Sequence, residues 1–303
     1  MDLSIDLCGI KLPNPTILAS GVLGVSRCSL ARVASCGAGA VTTKSISLEP
    51  RSGHDNPCVV TYEAGMLNAM GYPNPGAEAA REEFAAVDQL PVPVIASAVG
   101  TEPEEFAAVA EILTALPFAA TEIPVSCPHT PGFGLMGGHA STDAIRRITS
   151  LVRDKTKLPL FVKLPAGGPE VVDLAKAARD GGADGITAVN TIGPGMVINI
   201  EAARPVLGFK KGGVSGPALR PVAVRCVYDI YEAVDLPIIG VGGITTGRDA
   251  IEMMMAGARA VGIGSAVYYR GMDVFSEVCR EIRTWMEDHG YESLTEIVGA
   301  AHQ

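Results

Sequence analysis

Eight short aliphatic runs, each ended by glycine or a small polar residue, recur along the chain with helical patterns between them. They are TILAS (16–20), AVTTKS (40–45), PVIASAV (93–99), ATEIPVS (120–126), PLFVKL (159–164), GITAVN (185–190), PIIGVGG (237–243) and AVGIGSA (260–266). The runs are nearly continuous rather than alternating, which is the pattern of strands covered on both faces of a parallel sheet. Helical periodicity fills 27–36, 77–88, 102–116, 142–157, 169–180, 218–234, 247–256 and 272–289. Thr101-Glu-Pro-Glu104 reads as a capping box with proline in the first turn, and Thr246-Gly-Arg-Asp249 as its acidic variant. Gly37, Gly181 and Gly257 are placed as helix C-caps. Eight strand–helix units in order predict a single (β/α)8 TIM barrel over residues 1–303, with a doubly wound open sheet as the alternative. Two strand-to-strand intervals, 46–92 and 191–236, are long, polar and glycine-rich. Both follow a strand, on the side where barrel enzymes build their sites.

Net charge is −9, and no segment combines lysines with aromatics, so nucleic acid is an unfavourable partner. The N-terminus MDLSIDLCGIKLPNP lacks the basic-then-apolar layout of a signal peptide. No uncharged apolar stretch reaches the roughly 18 residues that suggest a membrane span. Seven cysteines (Cys8, Cys28, Cys36, Cys58, Cys127, Cys226, Cys279) are scattered without a C-x-x-C pair. A reduced, cytoplasmic compartment is expected, and structural zinc is disfavoured.

In a barrel the C-terminal ends of the strands converge on one face. Here those ends are Ser20-Gly21, Lys44-Ser45, Ser97, Cys127, Lys163, Asn190-Thr191, Gly242-Gly243 and Gly264-Ser265. The glycine pairs follow the seventh and eighth strands, where exposed backbone N–H groups and a helix N-terminus commonly hold a phosphate. The bland alternative is that they only make tight turns. No Walker A or dinucleotide fingerprint occurs, which favours a mononucleotide over a dinucleotide. A lysine at a buried strand end is costly unless it meets an anion, although one that snorkels to solvent is common. Two aimed at one mouth favour a function. Free cysteines are mostly inert small hydrophobes. Cys127 differs because Pro128 and a PGFG loop follow it, where a thiol could act as nucleophile or base.

The ordered set NPTILASGVLG, TTKSI, LNAMGYPNPG, VSCP, FVKL, VNT, GGVSGPA, IIGVGGI and IGSA resembles the dihydroorotate dehydrogenase family over almost the whole chain. It is closest to the cytoplasmic, NAD-linked type, and SCPH is similar to archaeal members. The resemblance implies FMN at the barrel mouth, with Gly242, Gly243, Gly264 and Ser265 at its phosphate. Ser20, Lys44, Ser45, Val189 and Gly216 would lie along the cofactor, and Lys163 beside the electron-rich edge of its ring. Asn68, Ala69, Met70, Gly71 and Tyr72, with Lys44, Asn190 and Thr191, would hold dihydroorotate. Cys127 would take the proton from carbon 5 while hydride passes from carbon 6 to flavin N5. This is the oxidation of dihydroorotate to orotate in pyrimidine biosynthesis. The NAD-linked type further implies a partner subunit carrying FAD and an iron–sulfur cluster, around a homodimer core of a heterotetramer.

The chain departs from the family pattern in several places. Pro124, His129 and Ser97 stand where the family usually has asparagine, and KLPAG replaces a common lysine–leucine–serine–proline–asparagine. A proline removes a side-chain donor and a backbone N–H from a strand. Three other readings stay open: a flavin enzyme for another dihydropyrimidine, a flavin-free sugar-phosphate barrel, and a silent flavin-holding subunit.

Overall fold

The computed structural model describes residues 1–125, 141–166 and 171–303. Eight parallel strands follow one another round a closed ring: β1 (Thr16–Leu18), β2 (Ala40–Thr42), β3 (Val94–Ser97), β4 (Ala120–Pro124), β5 (Leu160–Leu164), β6 (Gly185–Ala188), β7 (Ile238–Val241) and β8 (Ala258–Ile263). β8 pairs with β1, with Val261, Gly262 and Ile263 opposite Thr16, Ile17 and Leu18. That closure excludes the open doubly wound sheet, which would leave two edges.

Alternate side chains along each strand divide the core. Leu18, Val41, Ile123, Val162, Ile186 and Val261 face outward into the main apolar layer beneath the helices. Ile17, Ala40, Ile95, Ala120, Phe161, Ile239 and Ala260 form a separate cluster with Leu7 and Leu12. The last two come from an antiparallel hairpin, Ile5–Leu7 with Ile10–Leu12, that plugs the end of the barrel away from the strand C-termini.

The helices are α1 (Arg27–Ser35), α2 (Ala77–Glu83), α3 (Pro103–Thr114), α4 (Thr142–Arg153), α5 (Val171–Asp180), α6 (Arg220–Ala233), α7 (Gly247–Met255), the short α8 (Ala266–Arg270) and α9 (Val274–His289). Several ends differ from the sequence expectation. Pro103 takes the first position of α3, so Glu102 is the N-cap and Thr101 lies outside the helix. Glu105 then reaches back to the backbone N–H and hydroxyl of Thr101, both at 2.6 Å. After α5 the left-handed residue is Gly182 (φ +95°) rather than Gly181. Gly181 is needed for close packing, since a Cβ there would come within 2.7 Å of Thr149. The predicted eighth strand stops at Ile263, and Ala266 already begins α8.

The two long intervals meet. Val59–Tyr62 and Gly65–Asn68 from the first form a four-stranded antiparallel sheet with Gly212–Ser215 and Ile192–Gly195 from the second. Gly213 pairs with Asn68, Val214 with Leu67 and Ser215 with Met66. Leu67, Ala69 and Leu207 give this sheet a small core of its own.

Candidate active site

The strand ends and the added sheet enclose one pocket. Ser20, Lys44, Ser45, Lys163, Val189, Gly216, Gly242, Gly243, Gly264 and Ser265 all line it, as do Asn68, Ala69, Met70, Gly71, Tyr72, Asn190 and Thr191. Sequence reasoning missed Val22, Met66, Leu219, Ile244 and Tyr268, which supply apolar wall. Their only sequence signal is a position within three residues of ones already singled out. Cys127, Pro128 and His129 lie outside the described residues. No cysteine among the described residues lines the pocket. Burial, with help from Asp184 and Asp6, pushes the Cys8 thiol up to about 11. Burial likewise pushes Cys279 up.

Lys44 and Lys163 are both buried, at 7% and 5% exposed. Neither ammonium has a carboxylate partner among the described residues. Lys163 stands on the inward face of β5 and donates to Ser20 Oγ at 3.2 Å. Lys44 lies over the ring of Tyr72, 5.2 Å from its centroid. Burial first, and the charge of Lys163 second, pull the Lys44 ammonium down to about 8. Two buried positive charges so placed make the pocket a receptor for anionic or electron-rich groups.

Behind the lysines, Ser45 and Ser97 share a hydroxyl–hydroxyl bond of 3.0 Å, and the Ser97 backbone N–H donates to Thr43 Oγ1 at 2.9 Å. Ser97, expected at the mouth, thus supports Ser45 from below. Asn190 Oδ1 accepts from the Thr191 backbone N–H at 2.8 Å, which fixes the orientation of that amide. Asn68 Nδ2 donates weakly to Gly213 O at 3.5 Å, tying the loop from the first interval to the strand from the second.

Pro124 is the last residue of β4, and its ring lines the pocket. Thr121 and Val125 donate to Pro159 and Lys163 on the β5 side, so by alternation Glu122 and Pro124 turn their nitrogens toward β3. β3 ends at Ser97, and beyond it Ala98 bridges to Ile46. Ala98 N–H still donates to Glu122 O at 2.9 Å, so that rung is the last on the β3 side, and the proline, without an N–H, ends the ladder at the final residue of its strand.

The glycine ends fit a phosphate by their backbone. The N–H groups of Gly243, Gly264 and Ser265 meet no backbone acceptor among the described residues, while Gly242 continues the β7–β8 ladder just beyond the Val241–Gly262 pair. Gly243 has φ +68°, and a Cβ there would come within 2.7 Å of Gly216 O. The helix dipole expected to assist them is already answered. At the start of α7, Asp249 Oδ2 accepts from the backbone N–H of Thr245 and Thr246, and Glu281 Oε2 accepts from that of Gly247. The Thr246–Asp249 capping box is complete. Asp249 also pairs with Arg220, which packs beside Gly243. Here α7 and its carboxylates brace the glycine turn, and the donors open to a ligand are those of the turn itself.

Among the described residues no three His, Cys, Asp or Glu side chains converge as a metal site. No helix among them is long and apolar enough to cross a membrane.

Comparison with known proteins agrees with this geometry. The sequence profile of a family described as dihydroorotate dehydrogenase matches residues 2–286. A Methanothermobacter thermautotrophicus protein named dihydroorotate dehydrogenase B (NAD(+)), catalytic subunit, is 46% identical over 301 residues, 99% of this chain and 98% of its own length. Proteins of the same name from Methanosarcina acetivorans and Pyrococcus furiosus are 47% and 46% identical, over 98% and 100% of this chain and 96% and 100% of theirs. By a profile spanning nearly its whole length and by these full-length relatives, the chain belongs to the dihydroorotate dehydrogenase family.

Proposed function

We propose that this chain is the FMN-holding catalytic subunit of an NAD-linked dihydroorotate dehydrogenase, oxidising dihydroorotate to orotate in pyrimidine biosynthesis. The observation that carries the reading is one pocket holding both the unfilled backbone donors of the glycine turns and two buried lysines without carboxylate partners. The N–H groups of Gly243, Gly264 and Ser265, with Gly242 beside them, would hold the FMN phosphate. When bound, the flavin supplies the centre that accepts hydride. Lys163, steadied by Ser20, sets a positive charge where negative charge develops during the reaction. Lys44 receives the substrate carboxylate, and the amides of Asn68 and Asn190 address the ring. Cys127 follows β4 by three residues and is assigned as the base at carbon 5.

The names of the relatives describe a catalytic subunit and NAD(+). This chain has neither cluster-spaced cysteines nor a dinucleotide fingerprint. A partner subunit with FAD and an iron–sulfur cluster would carry electrons to NAD, around a homodimer of this chain, in the cytoplasm. A second reading, oxidation of another dihydropyrimidine, is favoured by Pro124, which puts a donor-free ring in the pocket wall.

The test is anaerobic. Purified protein should be yellow with FMN, and dihydroorotate should bleach it. Protein without flavin would overturn the whole reading. Flavin reduced by dihydrouracil but not by dihydroorotate would move it to the second.

A further inference from the structure

One residue outside the pocket lining touches the Asn68–Tyr72 loop at three consecutive residues, through its backbone and its side chain. His54 lies in the first long interval. Its backbone N–H donates to Met70 O at 3.1 Å, and its Nδ1 is 3.2 Å from Ala69 O. A carbonyl oxygen can only accept, so Nδ1 carries a proton there. The imidazole also lies against Gly71, where a Cβ would come within 2.9 Å of Cγ and Cδ2.

The ring stacks on Phe209, from the second long interval, with centroids 4.1 Å apart and planes 3° from parallel. Beside this pair the two intervals meet backbone to backbone where Gly208 N–H donates to Pro57 O at 2.9 Å, and within the first interval Ala69 N–H donates to Cys58 O at 2.8 Å. The held segment carries strain at one residue: after left-handed Gly71 (φ +71°), Tyr72 is left-handed too, at φ +54°, and it bears the ring over Lys44. A non-glycine residue stays left-handed where its surroundings over-determine it.

We propose that His54 is a positioning residue for the substrate. Its Nδ1–H and ring hold the left-handed turn at Gly71–Tyr72, and so set where the substrate loop and Tyr72 stand over Lys44. The inference rests on the function proposed above, and concerns binding of the dihydroorotate ring rather than of flavin.

The variants are His54→Phe, which keeps a ring on Phe209 but has no donor, and His54→Asn, whose amide nitrogen can take the place of Nδ1. Phe209→Leu removes the stack. Each is measured for FMN content, thermal midpoint, orotate affinity by calorimetry, and KM and kcat for dihydroorotate. His54→Phe should weaken orotate binding and raise KM by about tenfold, as expected for a lost hydrogen bond, with kcat changed far less and FMN content unaltered. His54→Asn should recover most of that loss, and Phe209→Leu should weaken binding by about threefold.

Unchanged orotate affinity in His54→Phe, beside a wild type that binds orotate, overturns the inference alone. So does a loss that follows FMN content or the thermal midpoint, or one that Asn does not rescue. If His54→Phe fails to fold, unchanged affinity in Phe209→Leu overturns it. A wild type that holds FMN but ignores orotate overturns the functional reading and this inference with it.

Discussion

At the scale of single residues, the electrostatics of the pocket turn on Lys44. Its folded-state value near 8 lies below the roughly 10.4 of an exposed lysine, so between those values the unfolded chain binds the extra proton. Ligand-free protein therefore gains stability from this group as pH rises from about 8 to 10, and an anion bound beside Lys44 opposes that release. Orotate affinity, measured by calorimetry from pH 7 to 10, should fall as pH passes about 8, by up to roughly tenfold per unit. Lys44→Met should bind weakly with no such fall. Cys127→Ser should retain FMN yet slow flavin reduction by dihydroorotate at neutral pH about a hundredfold or more in stopped flow, since general-base catalysis commonly contributes that much. Pro124 is the last residue of its strand and an asparagine there restores a backbone N–H, so Pro124→Asn should fold normally. Its orotate affinity should hold or improve, because the new amide faces the pocket. A fall in affinity would show that the proline ring itself is part of the fit.

At the scale of elements, α7 acts as a brace. Burial pushes the Asp249 carboxyl up, but hydrogen bonds from Thr245 and Thr246 outweigh it and hold the group below the usual carboxylate range. A carboxyl lowered on folding contributes stability above its unfolded value near 3.9, and loses it as pH falls through the folded one. Asp249→Asn should cost about 1–2 kcal/mol in a neutral-pH urea melt, and the difference from wild type should shrink as the pH is lowered below about 4. The Thr246–Asp249 cap was legible in the sequence because residue types and spacing coincide with the helix start. The predicted cap at Thr101 was misplaced by one residue. Pro103 claims the first helical position, so the cap must be the residue before it. Gly181 and Gly182 look alike in a sequence, and only the closeness of Thr149 and the left-handed φ tell them apart. The barrel strands were readable because both of their faces are buried. The added sheet was not, since three of its four strands, GMLN, IGPG and GGVS, have little periodicity and weak strand propensity, which left VVTY without a visible partner. For the same reason the loop ends stood out as candidate site residues, while His54 and Phe209, which join the loops, did not.

At the scale of the molecule, stability and chemistry occupy opposite ends of the barrel. Leu7 and Leu12 seal one end against the inner strand side chains, while the pocket opens at the other. Leu7→Ala should cost about 2–5 kcal/mol in a urea melt and leave kcat within about twofold, as a cavity at the far end disturbs packing but not the reacting groups. A comparable loss of kcat would show that the inner layers transmit strain to the mouth. The sheet that roofs the pocket has a further consequence, for the order in which the chain becomes competent. Gly65–Asn68 finds its partner only when Gly212–Ser215 exists, and the last glycine pair arrives later still. At about 5–20 residues per second on the ribosome, the first hairpin waits on the order of ten seconds or more for its partner. On the proposed function, cofactor capture is a late event in the life of each chain, and a nascent chain stalled before Gly212 carries half a roof and none of the glycine donors proposed for the phosphate.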